Sequence, residues 1–397
     1  MRIAMIAPTF WPLVGGSVRS LTRLAFALAD RGVTCRIVAP LGERQWPTEL
    51  RYGPVDVSRP AFAGRTRWGR VRYRLALSRW LRSRRPDWDA VWVEGLRGEA
   101  FAALGALRRA DIPVILRARD VGANGDIAWQ ERAALGRRTR RRCLRADAIV
   151  ATHPWARDEL VGAGYPADRV HLILDGAAVG EPRGAPRRAA ARAALADANF
   201  DLNAPIGCPV ALQIGPLVAD RGLFELVDAW ARVVRPFPDA RLWLVGDGPL
   251  REPLRQRIGD RDLRTNVFLP GTFDEVDDLL HAADLFVTAS SRPGVSNGLL
   301  EAMAFGVPCV AGGTPGDQRL ITDHVHGLLA ENRLPDAIAR AVIRVFSVPD
   351  LACQLGAAAR DRVAAEFAIE DSARRCDDLM RRLVQGRHGR DESSVRR

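Results

Sequence analysis

Between Leu212 and Ala330 the chain repeats one local pattern: a short apolar run rich in strand formers, a glycine or turn, then a helical segment. The runs are Leu212-Gln213-Ile214-Gly215, Arg241-Leu242-Trp243-Leu244-Val245-Gly246, Asn266-Val267-Phe268-Leu269-Pro270-Gly271 and Ala283-Asp284-Leu285-Phe286-Val287-Thr288. Strands alternating with helices predict a mostly parallel sheet covered on both faces, with any ligand crevice at the strand ends. The fold class is therefore α/β.

A similar series precedes it. Strands are expected at Arg2–Ala7, Thr34–Ala39, Ala90–Val93, Pro113–Leu116, Ala148–Ala151 and His171–Leu174. Ser17 is placed to cap a helix running to about Asp30, and Arg-rich amphipathic helices are expected near 67–84, 96–109 and 127–145. Gly180 to Ala191, rich in Gly, Pro and Ala, reads as an interdomain linker entering a helix. The expected domains are 1–179 and 180–368. A final helix at 369–385 should pack back on the first domain, and polar 386–397 should be disordered.

The 397 residues suit about two domains. Six scattered cysteines without a C-x-x-C suggest neither a disulfide framework nor a zinc site, which fits a reducing, cytoplasmic compartment. Pro8 and Pro12 interrupt the first apolar run too early for a signal peptide, and no run approaches the roughly 18 apolar residues of a membrane span. Every one of the 59 basic residues is arginine. Without lysine there is no pyridoxal-phosphate Schiff base and no Walker-type phosphate loop. Residues 1–180 hold 31 Arg against 17 acids (+14), and residues 181–397 hold 28 against 30 (−2). The excess gathers between Val57 and Pro86, with ten Arg and no acid, and again over Arg137–Arg145.

Three motifs could carry chemistry. Gly15 and Gly16 precede a helix, where a bare backbone and free N–H groups favour an anion. Gly246 and Gly248 end a strand at the expected crevice, followed by Pro249 at the first helical turn. Asn297-Gly298-Leu299-Leu300-Glu301-Ala302-Met303-Ala304-Phe305-Gly306-Val307-Pro308 opens a helix whose Glu301 sits among apolar neighbours.

Together with the strand series, these segments resemble the retaining, nucleotide-sugar-dependent glycosyltransferases of the GT-B fold, the large family that includes sucrose synthase and bacterial mannosyl- and glucosyltransferases. The resemblance implies two Rossmann-like domains facing a cleft, with the donor held by the C-terminal one. It implies that Glu301 accepts hydrogen bonds from the ribose hydroxyls, a task suited to a carboxylate's two oxygens. It places the diphosphate at Gly15, Gly16 and the helix start Asn297, Gly298 and Leu299. It also aligns Gly246, Gly248 and, for the base, Phe273 with the donor site.

The sequence departs from the family at several chemical positions. Pro293 stands eight residues before Glu301, where the family usually has a second Glu. Gly215-Pro216 has lost the Arg of the diphosphate clamp, and Arg221-Gly222 replaces its Lys-Gly. A histidine of the N-terminal domain is replaced around Arg117-Ala118-Arg119-Asp120, another around Trp92-Val93-Glu94-Gly95, and the family's Asn-Gly is Asp175-Gly176. Arg221 is the expected phosphate-holding cation. Asp120 or Glu94 is the candidate to orient an acceptor hydroxyl, and Arg119 a second phosphate contact; structural ion pairing explains Glu94, Arg119, Asp120 and Asp126 equally well. Asp87-Trp88-Asp89 looks like a metal motif but precedes a buried strand, and the resemblance implies a leaving group stabilised without a metal; His324-Val325-His326 lacks the further ligands a site needs.

The expected reaction is transfer of a sugar from a nucleotide diphosphate sugar to an acceptor hydroxyl with retention, in polysaccharide or glycolipid synthesis, with no metal or other cofactor. A degenerate homologue that binds a nucleotide sugar or a partner enzyme is the main alternative, and a nucleotide-sugar epimerase the third. The expected partners are the donor and a sugar or lipid-linked acceptor; no nucleic-acid-binding module is recognisable. The Arg-rich segment, with Trp68, Val71, Leu75, Leu77, Trp80 and Leu81 at helical spacing, suits peripheral attachment to the anionic inner face of the cell membrane. It equally suits a helix packed on its sheet with its arginines in water.

Overall fold

The computed structural model describes residues 1–63, 66–119, 121–181, 183–205 and 207–395. They form two compact units, one of Met1–Leu13, Ser20–Gly176 and Ile369–Arg397, the other of Val14–Arg19 and Ala177–Ala368. The chain thus passes between units at Gly176–Ala177, earlier than the linker composition suggests. The short segment Val14–Arg19 groups with the second unit, because its residues bond to Asn297 and Glu301 there.

The first unit holds an eight-stranded sheet: β1 (Arg2–Ile6), β2 (Thr34–Val38), β3 (Glu49–Tyr52), β4 (Val55–Ser58), β5 (Ala90–Glu94), β6 (Val114–Arg117), β7 (Ala148–Ala151) and β8 (Val170–Leu172). Their order is β3-β4-β2-β1-β5-β6-β7-β8, parallel except for β3 against β4. The second unit holds a wholly parallel six-stranded sheet: β9 (Val210–Ile214), β10 (Arg241–Val245), β11 (Val267–Gly271), β12 (Leu285–Thr288), β13 (Cys309–Ala311) and β14 (Leu328–Leu329), in the order β11-β10-β9-β12-β13-β14. Helices on both faces explain why β5 and β9 are apolar at nearly every position and buried along their whole length. In each sheet the strand order reverses beside one strand, β1 in the first and β9 in the second, and the carboxyl ends at such a reversal are where ligands bind in this architecture.

Four local expectations need correction. The β3–β4 hairpin, turned at Gly53 with φ +57°, was not visible in the hydrophobic pattern, because its four-residue strands are half polar. The expected helix at 127–145 is two, Asp126–Arg132 and Gly136–Cys143. At their junction a Cβ on Gly136 would lie 1.9 Å from the Gln130 carbonyl, so the chain turns where only glycine fits. Ser17 does not cap the first helix, Gly16–Asp30; the Gly15 carbonyl accepts from Val18 and Arg19 N–H instead, leaving Ser17 inside. The last helix runs Ile369–Val395, past the expected start of the disordered tail. No proline interrupts it, and Arg387 is anchored by Asp147 at 2.5 Å. Nearer its start, the buried Asp377 accepts from Arg31 Nε at 3.3 Å and Arg381 Nε at 2.7 Å, and Ser372 donates to the Leu174 carbonyl.

Candidate functional site

In the second unit three strand-end loops lie against one another. Gly215 N–H donates to the Val245 carbonyl and Gly246 N–H to the Gly271 carbonyl. A Cβ on Gly246 would come 1.9 Å from the Gly215 oxygen, and one on Gly248 2.5 Å from the Leu217 oxygen. The glycines of this motif therefore have a packing reason: they let the loops after β9 and β10 touch backbone to backbone. Gly15 differs. Its backbone is ordinary, and a Cβ there would meet nothing within 4 Å, so local packing does not demand glycine.

Arg221 ends a short helical turn, Ala219–Arg221, after β9. Gly222 follows with φ +64°, and a Cβ on it would lie 2.0 Å from the Ala289 oxygen just beyond β12. That contact fixes the Arg221 backbone at the sheet's reversal. The guanidinium lies beside Gly215, its carbon 3.9 Å from where a Cβ on that residue would stand. It also acts on Asp317, in the first turn of the helix Pro315–Leu320, whose carboxyl is pushed up to about 6. Burial is the main cause; hydrogen bonds from Thr314 and Gly313 and the charge of Arg221 oppose it. The neighbouring Asp220 accepts from Arg292 Nε at 2.7 Å. Pro293, in place of the expected carboxylate, sits in a loop packed on the start of that same helix: a Cβ on Gly316 would lie 2.2 Å from the Gly294 oxygen.

The helix Asn297–Ala304 begins at the same end of the sheet. Ser296 caps it, accepting from Leu299 N–H at 3.4 Å, and Gly298 packs 3.0 Å (by its would-be Cβ) from the Ile214 carbonyl that ends β9. Asn297 Nδ2 donates to the Gly16 carbonyl at 3.1 Å. Glu301 is 2% exposed and meets Arg19 twice, Nε to Oε1 at 3.4 Å and Nη2 to Oε2 at 3.3 Å. Sequence reasoning missed Arg19. The signal was present: a carboxylate buried among Leu299, Leu300, Ala302 and Met303 needs a cation or several donors as partners. Phe273 lies half-buried in the loop after β11.

In the first unit Glu94 ends β5 and is buried. It accepts from Trp92 Nε1 at 2.7 Å and from Arg117 Nη1 at 2.6 Å. Arg117 Nη2 donates to Asp175 at 2.5 Å and to the Ser20 hydroxyl at 3.1 Å. Burial works against the Arg117 charge, but the two carboxylates outweigh it and raise its pKa above the ordinary value. Glu94 is thus half of a buried ion pair. Asp126 is likewise a hub of structure, accepting from Arg97 Nε at 2.6 Å and from the backbone N–H of Leu96 and Arg119. Asp120 lies outside the described residues. Asp89 accepts from the Arg2 backbone N–H, and among the described residues no group of three or more His, Cys, Asp or Glu is placed to hold a metal ion.

Two family models match the chain: "Glycosyl transferases group 1" over residues 197–362 and "Glycosyl transferase 4-like domain" over 15–176. Among curated proteins it resembles the lipopolysaccharide core biosynthesis glycosyltransferase LpsE of Rhizobium meliloti, 29% identical over 159 residues, 40% of this chain and 46% of that protein. It is 32% identical over 174 residues to a GDP-mannose-dependent alpha-(1-6)-phosphatidylinositol monomannoside mannosyltransferase of Mycobacterium tuberculosis, covering 42% of this chain and 45% of that one. The matched stretches span less than half the length of these relatives. Among solved structures, sucrose-phosphate synthase from Thermosynechococcus elongatus superposes with a TM-score of 0.79 at 21% identity, over 97% of this chain and 99% of that one. Anabaena HepE in complex with UDP and glucose gives 0.76 at 17%, over 96% and 99%. At these identities the structures establish the fold. With a family model over each half and the fold of the solved structures, the chain belongs to the glycosyltransferases and has the GT-B fold.

Proposed function

We propose that this protein transfers a sugar from a nucleotide diphosphate sugar to an acceptor hydroxyl, with retention of anomeric configuration. The observation that carries the reading is Glu301: a buried carboxylate one turn inside a capped helix start, at the reversal point of the second sheet, with Arg221 and the loop glycines at the same strand ends. A carboxylate there suits a ribose diol, and the N–H groups that open the helix suit a diphosphate. In the reaction the bond from the anomeric carbon to the diphosphate oxygen breaks, its electron pair leaving with the diphosphate. The acceptor oxygen forms the new glycosidic bond, and its proton passes to the departing phosphate or to solvent. Arg221 and the helix starts stabilise the charge that develops on the leaving group, and fixed charges and dipoles of this kind are usually the largest single term in lowering such a barrier. The names of the relatives, one a lipopolysaccharide core biosynthesis glycosyltransferase and one a phosphatidylinositol monomannoside mannosyltransferase, support a cell-surface polysaccharide or glycolipid as the product class.

The test is incubation with UDP-, GDP-, ADP- and TDP-sugars, following release of the nucleoside diphosphate and the anomeric configuration of the product by NMR. Release with one donor and a product of the donor's own configuration is expected. Tight donor binding without any release would favour the non-catalytic homologue. An inverted product would refute retention.

The helix Arg67–Ser83 supports a second element of the reading, peripheral attachment to an anionic membrane face. Its apolar residues divide between a buried and an exposed face. Tyr73, Leu77 and Leu81 are buried and Trp80 stacks on Trp88, while Trp68, Val71 and Leu75 are exposed at 83%, 39% and 54%. At 100° per residue, the exposed Arg72, Arg79 and Arg82 fall in the same sector as Trp68 and Leu75. Apolar side chains between arginines suit the headgroup region of anionic lipid. Among the described residues no single helix is long and apolar enough to cross a membrane. Salt-sensitive co-sedimentation with anionic vesicles, weakened by Trp68→Ala, is expected; binding indifferent to lipid charge and to salt would refute the attachment.

A further inference from the structure

Glu301 does not stand alone in its helix. Its two oxygens face Nε and Nη2 of Arg19 at 3.4 and 3.3 Å, and Arg19 is itself only 13% exposed. One turn earlier on both helices, Asn297 Nδ2 donates to the Gly16 carbonyl at 3.1 Å. These two contacts tie the first turn of Gly16–Asp30 to the first turn of Asn297–Ala304. A site for a nucleoside diphosphate must then hold two or three negative charges beside a buried carboxylate. Uncompensated, that carboxylate would repel the ligand in a medium of low dielectric.

We propose that Arg19 is a positioning residue of the donor site. Its fork fixes the Glu301 carboxylate in one orientation for a ribose diol, and its charge cancels that of Glu301 so the adjacent diphosphate can be held. This inference rests on the donor-site reading of Glu301. Arginine suits both tasks, since its planar fork meets a carboxylate in two contacts and it stays ionised when buried. The two effects separate by ligand: loss of orientation weakens nucleoside and nucleoside diphosphate alike, whereas loss of compensation weakens the diphosphate more.

The experiment is titration calorimetry of folded Arg19→Ala, Arg19→Lys, Glu301→Ala and the double variant Arg19→Ala/Glu301→Gln. The ligands are whichever of UDP, GDP, ADP or TDP binds the wild type best, and its nucleoside. For Arg19→Ala the diphosphate affinity should fall on the order of ten- to a hundredfold, the scale of losing bonds to a buried charge, and further than the nucleoside affinity. Arg19→Lys should recover the diphosphate preferentially, because it restores charge without the fork. The double variant should bind the diphosphate better than Arg19→Ala alone, since the negative charge at position 301 is gone. A loss equal for both ligands, or an Arg19→Ala variant that binds both like the wild type while Glu301→Ala is weakened, overturns the proposal. Unchanged binding by Glu301→Ala overturns the donor-site reading itself, and the proposal with it.

Discussion

Asp317 should make the second unit lose stability as pH rises through the weakly acidic range. Its side chain is 1% exposed, and burial moves its carboxyl from 3.8 to about 6 despite the hydrogen bonds of its capping box and the charge of Arg221. The sign follows from proton counting. Between about pH 4 and 6 the folded state keeps a proton that the unfolded chain has lost, so stability falls as pH rises across that window and is lowest above it. A shift of a little over two pH units, at about 1.4 kcal/mol each, gives a penalty of about 3 kcal/mol at neutral pH. Asp317→Asn keeps the shape and an oxygen to accept from the Thr314 N–H, 3.1 Å away in the wild type, and removes the buried charge. Urea denaturation of both proteins from pH 4 to 8 tests this. The variant should match the wild type at about pH 4 and exceed it by about 2–3 kcal/mol at pH 7, less whatever the neutral cap loses. Parallel stability curves across the whole range would show that the carboxyl is not held up by burial.

Gly246→Ala should destabilise by about 3 kcal/mol or more, because its methyl would meet the Gly215 oxygen at 1.9 Å; a melting temperature near wild type would mean that the loops after β9 and β10 do not touch. Gly15→Ala, with nothing within 4 Å, should keep wild-type thermal stability yet weaken nucleotide diphosphate binding on the order of tenfold, and unchanged binding would remove Gly15 from the phosphate site. Arg221→Ala should lower turnover far more than it alters stability, since its charge matters most as the diphosphate departs; equal losses in both would make it a packing residue. Arg117→Met should cost about 3–5 kcal/mol, leaving Glu94 buried without its cation and Asp175 without its partner, as urea denaturation would show.

The α/β class and most strands were legible because parallel strands buried on both faces leave continuous apolar runs, and glycine punctuates them where loops must approach. Gly246 illustrates the limit of that reading. The motif is plain in the sequence, but only the 1.9 Å approach to Gly215 separates a packing role from a ligand role. The β3–β4 hairpin escaped because Glu49–Tyr52 and Val55–Ser58 are short, half polar and turned within two residues. The Arg-rich helix was legible as amphipathic, but not which apolar residues faced inward: Leu77 and Leu81 went to the core and Trp68 and Leu75 to solvent, a choice made by tertiary packing. Arg19 and Arg117 show a different gap. Each bonds a carboxylate distant in sequence, 282 positions away for Arg19 and 23 and 58 for Arg117, and no local pattern reports such a pairing.

The central claim is that Glu301 sits at the heart of a nucleotide-sugar site, and the most direct measurement is thermal stability against a panel of UDP-, GDP-, ADP- and TDP-sugars for the wild type and Glu301→Ala. A ligand that binds the folded state alone stabilises it according to its concentration relative to Kd, so one donor should raise the wild-type Tm clearly above the others. In Glu301→Ala the same donor should give a much smaller rise, corresponding to about 1–3 kcal/mol of lost binding. A panel in which no nucleotide sugar shifts the wild type, or in which the variant responds as the wild type does, would contradict the account.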